Sequence, residues 1–174
     1  MELKTAGELM IPLDKYPHIP YWFTLRQAMV EMEKYQIDVL GKKSLPRFVL
    51  VFDEKYQLLG LIRRRDILRG LETQALTSKI GGYKKRLFES KRREDFSKVP
   101  TGKLVEGLKE NSERQVSDIM QPIVNSVDRQ DHLLKVINDM VEHNLSLMPV
   151  IKDGKVAGVV RSVDVLREIA SHVL

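Results

Sequence analysis

The 174-residue chain contains no cysteine, which excludes disulfide scaffolds, zinc ribbons, thiol catalysis and iron–sulfur clusters. Aromatic residues make up only 6% of the sequence. The longest apolar runs, such as residues 48–52 and 156–160, are far shorter than the roughly 20 residues that cross a bilayer. Acidic side chains interrupt the first ten residues, so we expect no secretory signal and a cytoplasmic protein.

Motifs of the common catalytic and metal-binding sites are also missing from the sequence. The four histidines lack the i, i+4 pairing of a zinc-binding helix, and no acidic cluster has the spacing of a calcium loop. A Walker loop, a G-x-G-x-x-G motif and a G-x-S-x-G elbow are absent as well. We therefore expect no metal site, no required cofactor and no enzymatic activity.

The positive charge of the chain is concentrated in one segment. The formal net charge is +5, and residues 79–114 alone hold 11 Lys/Arg and 6 Asp/Glu, which leaves the rest of the chain neutral. This segment also contains a glycine pair and few large apolar side chains, so residues 72–113 are predicted to form a basic linker, helical or irregular.

The segments on either side of this linker repeat each other. Three matches support the duplication, in the same order in both halves: residues 6–12 with 116–122, 25–32 with 133–140, and 48–71 with 148–169. The length differences fall between the matching segments, as expected for one fold that occurs twice.

Each copy contains the same predicted elements. Apolar residues at i, i+3, i+4 and i+7 predict amphipathic helices from Leu25 and from Leu133, with Thr24 and Asp131 as N-caps. Two apolar runs then predict a hairpin in each copy, and Asp153-Gly154 is a strong turn signal in the second. Further helices are predicted at 66–71 and 164–170. A copy of about 60 residues barely buries a core, so we expect the two copies to pack face to face.

These repeated motifs resemble those of a known family. The motifs are Gly60-Leu61-Ile62-x-x-x-Asp66 and Gly158-Val159-Val160-x-x-x-Asp164, the openings 8–12 and 118–122, and the hairpin entry 148–151. In this order they resemble a tandem pair of CBS domains (named for cystathionine beta-synthase), also called a Bateman module. The resemblance implies an α/β (α+β) fold of two βαββα repeats, at 4–71 and 114–171, around a pseudo-twofold axis.

The same resemblance implies a function. Such pairs bind an adenosine-containing ligand, AMP, ADP, ATP or S-adenosylmethionine, in clefts between the copies, often form homodimers, and regulate an effector protein. The closing motif favours such a ligand on physical grounds too, because a glycine at a strand end allows close approach of a ligand and a helix N-terminus attracts anions. By resemblance, Asp66 and Asp164 hold the ribose hydroxyls; the alternative is that both cap their helices.

The sequence departs from the family pattern three residues before each aspartate. Arg63 and Arg161 stand where the family has Ser or Thr, so the usual capping box is lost. Either arginine could bind a ligand phosphate or pair with a carboxylate and close an empty cleft. Ser162 is a candidate replacement cap in the second copy.

The adenine slot is placed by resemblance where the opening strand meets the hairpin. The predicted ligand-binding set is Asp164, Arg161, Ser162, Val124, Asn125, Ser126, Met148 and Pro149 in the second copy, and Asp66, Arg63, Tyr16, Pro17, His18 and Val49 in the first.

An alternative function class rests on the linker. Basic triplets at 84–86 and 91–93 are seven residues apart and would line one face of a helix, where they could meet the phosphates of a nucleic acid or an acidic partner. The triplets could equally form a solvated face with Leu87 and Phe88 docked on the module. This alternative is a scaffold or interaction module without nucleotide binding.

Overall fold

The structure is a computed structural model, and it describes residues 3–39, 41–72 and 100–174. The described strands are β1 Ile11–Pro12, β2 His18–Pro20, β3 Ile37–Val39, β4 Lys42–Ser44, β5 Phe48–Phe52, β6 Leu58–Arg63, β7 Gln121–Pro122, β8 Val127–Asp128, β9 Leu147–Lys152 and β10 Lys155–Arg161. The described helices are α1 Ala6–Leu9, α2 Leu25–Lys34, α3 Arg64–Leu71, α4 Thr101–Ser112, α5 Leu133–Glu142 and α6 Ser162–Val173.

In the described part of the chain, two four-stranded sheets of equivalent order form the module. Their strand orders are β2-β5-β6-β7 and β8-β9-β10-β1. In each sheet an antiparallel hairpin occupies the centre, and a short parallel strand of the same repeat flanks it. The predicted α+β fold, with strand, helix, hairpin and helix in both copies, is therefore confirmed.

The opening strand of each repeat is exchanged into the sheet of the other repeat. β1 pairs with β10, and β7 pairs with β6. Gly158 and Gly60 make this pairing possible, because a Cβ at either position would collide with the backbone carbonyl of Ile11 or Gln121. The interpretation that these glycines admit a ligand is wrong: a strand of the other repeat occupies that space.

The hairpin turns follow the predicted sequences. Asp153 and Gly154 have φ of 52° and 76°, which is the left-handed geometry that a two-residue hairpin turn requires. The first copy has an additional antiparallel pair, β3 and β4, joined through Gly41 with φ of 78°. This pair accounts for the longer connection after the first helix of that copy.

One predicted N-cap is confirmed and the other is wrong. The Thr24 hydroxyl accepts a hydrogen bond from the backbone N–H of Gln27 at 3.2 Å. In the second copy His132 caps α5 through Nδ1, which accepts from the N–H of Leu134 at 3.3 Å. Asp131 instead accepts from the Asp128 N–H at 2.8 Å, because it lies in the turn before the helix.

Among the described residues, three buried clusters hold the module together. One lies in each repeat, and each includes a residue of the other repeat's opening segment, Val116 in the first and Ala6 in the second. The third joins the two sheets and includes Tyr16, Leu50 and Val159. The expected face-to-face packing is therefore confirmed, and the strand exchange extends it.

The end of the predicted linker is an ordered helix on the first repeat. α4 packs against α3, and Asn111 donates from Nδ2 to the carbonyl of Glu72 at 2.7 Å. Arg114 donates to the carbonyl of Gly70 at 3.2 Å. The basic triplets 84–86 and 91–93, with Leu87 and Phe88, lie outside the described residues. In the described part of the chain, no helix is long and apolar enough to span a membrane.

Candidate functional site

The strand exchange creates a large cleft between the two repeats, with a volume of about 640 Å³. One wall comes from the first repeat and is lined by Arg47, Phe48, Leu61, Arg63, Arg64 and Arg65. The facing wall comes from the second repeat and includes Ile123, Val124, Asn125, Leu145 and Pro149. β7 pairs antiparallel with β6 through Gln121 with Leu61 and Pro122 with Gly60. This pairing brings the segment 121–125 to the same cleft as Leu61 and Arg63.

A small cleft of about 260 Å³ lies at the equivalent place on the other side of the pseudo-twofold. Tyr16 lines it together with Arg161, Ser162 and Val163 of the second repeat. Four residues line both clefts: Arg47, Phe48, Arg64 and Ser146. The two clefts therefore meet at a shared wall.

The predicted site residues are brought together, but in a different grouping from the one expected. Val124, Asn125 and Pro149 face Arg63 of the first repeat, whereas we expected them beside Arg161. Tyr16 faces Arg161, whereas we expected it beside Arg63. The physical reason is the strand exchange, since each opening segment follows its strand into the other repeat's sheet.

Several predicted residues line neither cleft. Val49 and Met148 have no exposed surface and lie in the repeat cores, and Pro17 is buried. His18 bonds through Nδ1 to the Tyr16 carbonyl at 2.8 Å. The Ser126 N–H donates to the side-chain oxygen of its neighbour Asn125 at 2.9 Å, on the exposed surface.

Arg63 and Asp66 form a closed ion pair at the start of α3. The guanidinium donates from Nε to Oδ2 at 2.8 Å and from Nη2 to Oδ1 at 3.0 Å. The backbone N–H of Arg63 also donates to Oδ2, at 3.0 Å. This N–H bond is half of a capping box, and the other half cannot form because a guanidinium has no acceptor.

The ion pair buries the Asp66 carboxylate completely. Its side chain has 0% exposure, while that of Arg63 is 28% exposed. Burial alone would raise the pKa of Asp66, but the hydrogen bonds from Arg63 outweigh it and the pKa lies below its usual value. Arg63 lines the large cleft and Asp66 does not. A ligand in the cleft therefore meets the guanidinium and not the carboxylate.

Arg161 and Asp164 repeat this arrangement at the start of α6. Nε and Nη2 of Arg161 donate to the two carboxylate oxygens, both at 2.7 Å, and the Asp164 side chain is 15% exposed. Ser162 is the first residue of α6, and Arg161 occupies the N-cap position. The prediction of Ser162 as a replacement cap is therefore wrong.

The remaining arginines of the large cleft are available for a ligand. Arg47, Arg64 and Arg65 are exposed, and none of the three side chains has an ion-pair partner among the described residues. Of the described residues that line the cleft, none is Asp or Glu. Sequence reasoning missed Arg47 and the role of this wall, although the run at 63–65 was a visible signal of positive charge.

The geometry suits recognition of an anion with an apolar part. The arginine wall provides concentrated positive charge, and Phe48, Leu61, Ile123 and Pro149 provide an apolar surface opposite and beside it. In the small cleft, burial raises the pKa of Tyr16, so its hydroxyl stays neutral. Within the described ranges no group of three or more His, Cys, Asp or Glu side chains could hold a metal ion.

Comparisons with known proteins agree with this architecture. The model of the CBS domain family matches residues 116–171, and no curated protein matches the sequence. A similar solved structure is the CBS domain of a CBS domain containing membrane protein from Sphaerobacter thermophilus, with 21% identity, a TM-score of 0.67, and coverage of 95% of this chain and 88% of that one.

Two further solved structures with the same fold contain nucleotides. One is CBSX2 in complex with AMP, with 16% identity, a TM-score of 0.61 and coverage of 98% of both chains. The other is the cytosolic domain of the Mg²⁺ channel MgtE in complex with ATP, with 20% identity, a TM-score of 0.58, and coverage of 94% of this chain and 48% of that one. The CBS family model matches the second repeat, and the first repeat has the same order of strands and helices, so both repeats share the fold of these solved structures.

Proposed function

We propose that this chain is a regulatory module that binds a phosphorylated adenosine ligand in the large cleft and transmits the binding to a partner protein. The observation that carries the proposal is the cleft itself. It joins both repeats, and its volume of about 640 Å³ lies within the range of ligand pockets, roughly 300–1,000 Å³. Its lining combines four arginines with an apolar wall.

The two walls suit different parts of such a ligand. Arg64 and Arg65 begin α3, where the helix dipole also favours a phosphate, although the Arg64 N–H itself donates to the Arg47 carbonyl at 3.1 Å. The apolar surface around Ile123 and Pro149 suits a purine ring, and the amide of Asn125 at its edge can hydrogen-bond to the base. A phosphorylated nucleoside spans both walls and so ties the first repeat to the second.

The charge of the cleft favours nucleotides over S-adenosylmethionine. The sulfonium of S-adenosylmethionine carries a positive charge, which the arginine wall would repel. AMP, ADP and ATP all carry the negative charge that this wall attracts. Nucleotide complexes of the two solved structures named above are consistent with this choice.

Regulation follows from where the ligand sits. The bound ligand would screen the repulsion among the arginines and link the two walls of the cleft. It would thereby stabilise the arrangement of the two repeats that binds it. We place the module in the cytoplasm as a homodimer that acts on an effector protein. The role is regulatory and not catalytic.

A thermal-shift panel of adenine and guanine nucleotides tests this proposal. A ligand that binds only the folded state adds about 2.7 kcal/mol at a hundredfold excess over Kd, which raises Tm by about 5–10 °C for a chain of this size. Arg65→Gln should reduce the shift, and Arg26→Gln, the same change on α2 away from both clefts, should not. No shift with any adenine nucleotide at millimolar concentration would contradict the proposal and favour the scaffold alternative.

A further inference from the structure

We infer that the large cleft selects its ligand by phosphate charge and does not read the ribose hydroxyls. It then binds a 2′-deoxynucleotide as tightly as the ribonucleotide, and a triphosphate more tightly than a monophosphate. This inference rests on the proposed function and names the class of ligand that the same cleft takes.

The group that would hold a ribose is not accessible. A carboxylate with two free oxygens suits two vicinal hydroxyls, but both oxygens of Asp66 accept hydrogen bonds from Arg63. The Asp66 side chain has no exposed surface, and Arg63 lines the cleft whereas Asp66 does not. Asp164 is held in the same way by Arg161. Asp66 therefore cannot bind a ribose unless its ion pair breaks, and Asp164 lines neither cleft.

Apart from the arginines, the polar side chains that line the cleft are uncharged: Gln121, Asn125, Asn144 and Ser146. Asn125 already accepts from the Ser126 N–H at 2.9 Å and contacts Nδ1 of His143 at 3.4 Å. Amides and hydroxyls form neutral hydrogen bonds, which are weaker than those to an ionised group. The loss of one ribose hydroxyl therefore changes the affinity little.

The positive charge of the cleft exceeds what one phosphate requires. Asp66 neutralises Arg63, which leaves Arg47, Arg64 and Arg65 without an acidic partner among the described residues. Arginine binds phosphate oxygens through charge-assisted and often bidentate hydrogen bonds. Three such side chains on one wall match a chain of phosphates, so affinity should rise with the number of phosphates.

Isothermal titration of the full chain at one salt concentration tests the inference, with ATP, 2′-deoxyATP, AMP and adenosine as probes. We expect ATP and 2′-deoxyATP to agree within about twofold, and AMP to bind at least about tenfold more weakly, since each tenfold step corresponds to the loss of one moderate charge-assisted contact. Arg64→Gln and Arg65→Gln should each weaken ATP about fivefold to tenfold and adenosine hardly at all. Arg26→Gln, the matched control, should leave all affinities unchanged.

The outcomes separate this inference from the proposed function. A loss of tenfold or more with 2′-deoxyATP would overturn the inference while nucleotide binding stands, because some group then reads the ribose. Equal affinity for ATP and AMP would overturn the phosphate part. Binding of none of the four adenine compounds would overturn the proposed function itself.

Discussion

The ion pair of Arg63 and Asp66 predicts that loss of the arginine destabilises the protein in a pH-dependent way. In Arg63→Met, the fully buried carboxylate keeps the backbone N–H of residue 63 as its hydrogen-bond donor and the more distant guanidinium of Arg69, at 3.9 Å, as its ion-pair partner. Breaking a buried pair from one side costs about 3–5 kcal/mol. The guanidinium is 28% exposed, so we expect a cost near the lower limit, about 3 kcal/mol at pH 7.

The dependence on pH has opposite signs in the two proteins. The pKa of Asp66 in the folded wild-type chain lies below the unfolded value of about 3.9, so its contribution is present above that pH and is lost as the pH falls through the folded pKa. Without the Arg63 guanidinium, only the backbone N–H and the distant Arg69 still lower the pKa, so we expect burial to raise the folded pKa above the unfolded value. The variant then loses stability as the pH rises. The stability difference should therefore grow from pH 4 to pH 7.

Urea unfolding at a series of pH values between 4 and 7 measures this difference. Arg65→Met is the matched control, because that arginine is exposed and has no acidic partner among the described residues. Its effect should stay within about 0.5 kcal/mol at every pH. The loss in free energy of unfolding for Arg161→Met should lie between those of Arg63→Met and Arg65→Met, since the Asp164 side chain is 15% exposed. A constant cost for Arg63→Met across this range, or one equal to that of Arg65→Met, would refute the reasoning.

Two further predictions concern the strand exchange and the assembly. Gly158→Ala and Gly60→Ala should each lower Tm by about 4 °C or more, because the added Cβ collides with an exchanged strand. The control is Gly102→Ala on α4, where a Cβ has no neighbour within 4 Å; it should leave Tm unchanged or raise it. Equal effects at all three positions, seen by differential scanning calorimetry, would argue against the exchange. Leu166→Glu, on the exposed side of α6 where the leucine is 64% exposed, should convert the proposed homodimer to a monomer in light scattering without loss of Tm; a dimer that persists would place the interface elsewhere.

The sequence by itself determined the local elements and their duplication. Helix periodicity from Leu25 and Leu133, the Thr24 cap and the Asp153-Gly154 turn depend on residues close together in the chain, so the sequence predicts them correctly. The repeated motifs also predicted the resemblance to CBS domains, whose family model matches residues 116–171, because three weak signals in the same order on both sides of a linker rarely occur by chance. The predicted N-cap Asp131 lies one residue before the observed N-cap His132. Helix ends are commonly misplaced by one or two residues.

Only the tertiary structure decided which segments share a cleft and what the charged residues do there. The strand pairs β7–β6 and β1–β10 join residues far apart in the chain. A local sequence pattern does not predict such a pairing. This pairing places Arg63 and Val124 in the same cleft. It also packs Gly60 against the backbone of Gln121, where we expected a ligand. From the sequence, Arg63 could bind either a ligand phosphate or a carboxylate of the protein. In the structure Arg63 pairs with Asp66, because the Asp66 carboxylate is buried and a charged group without water must be paired. The neighbouring arginines remain exposed, and we propose that they bind the ligand.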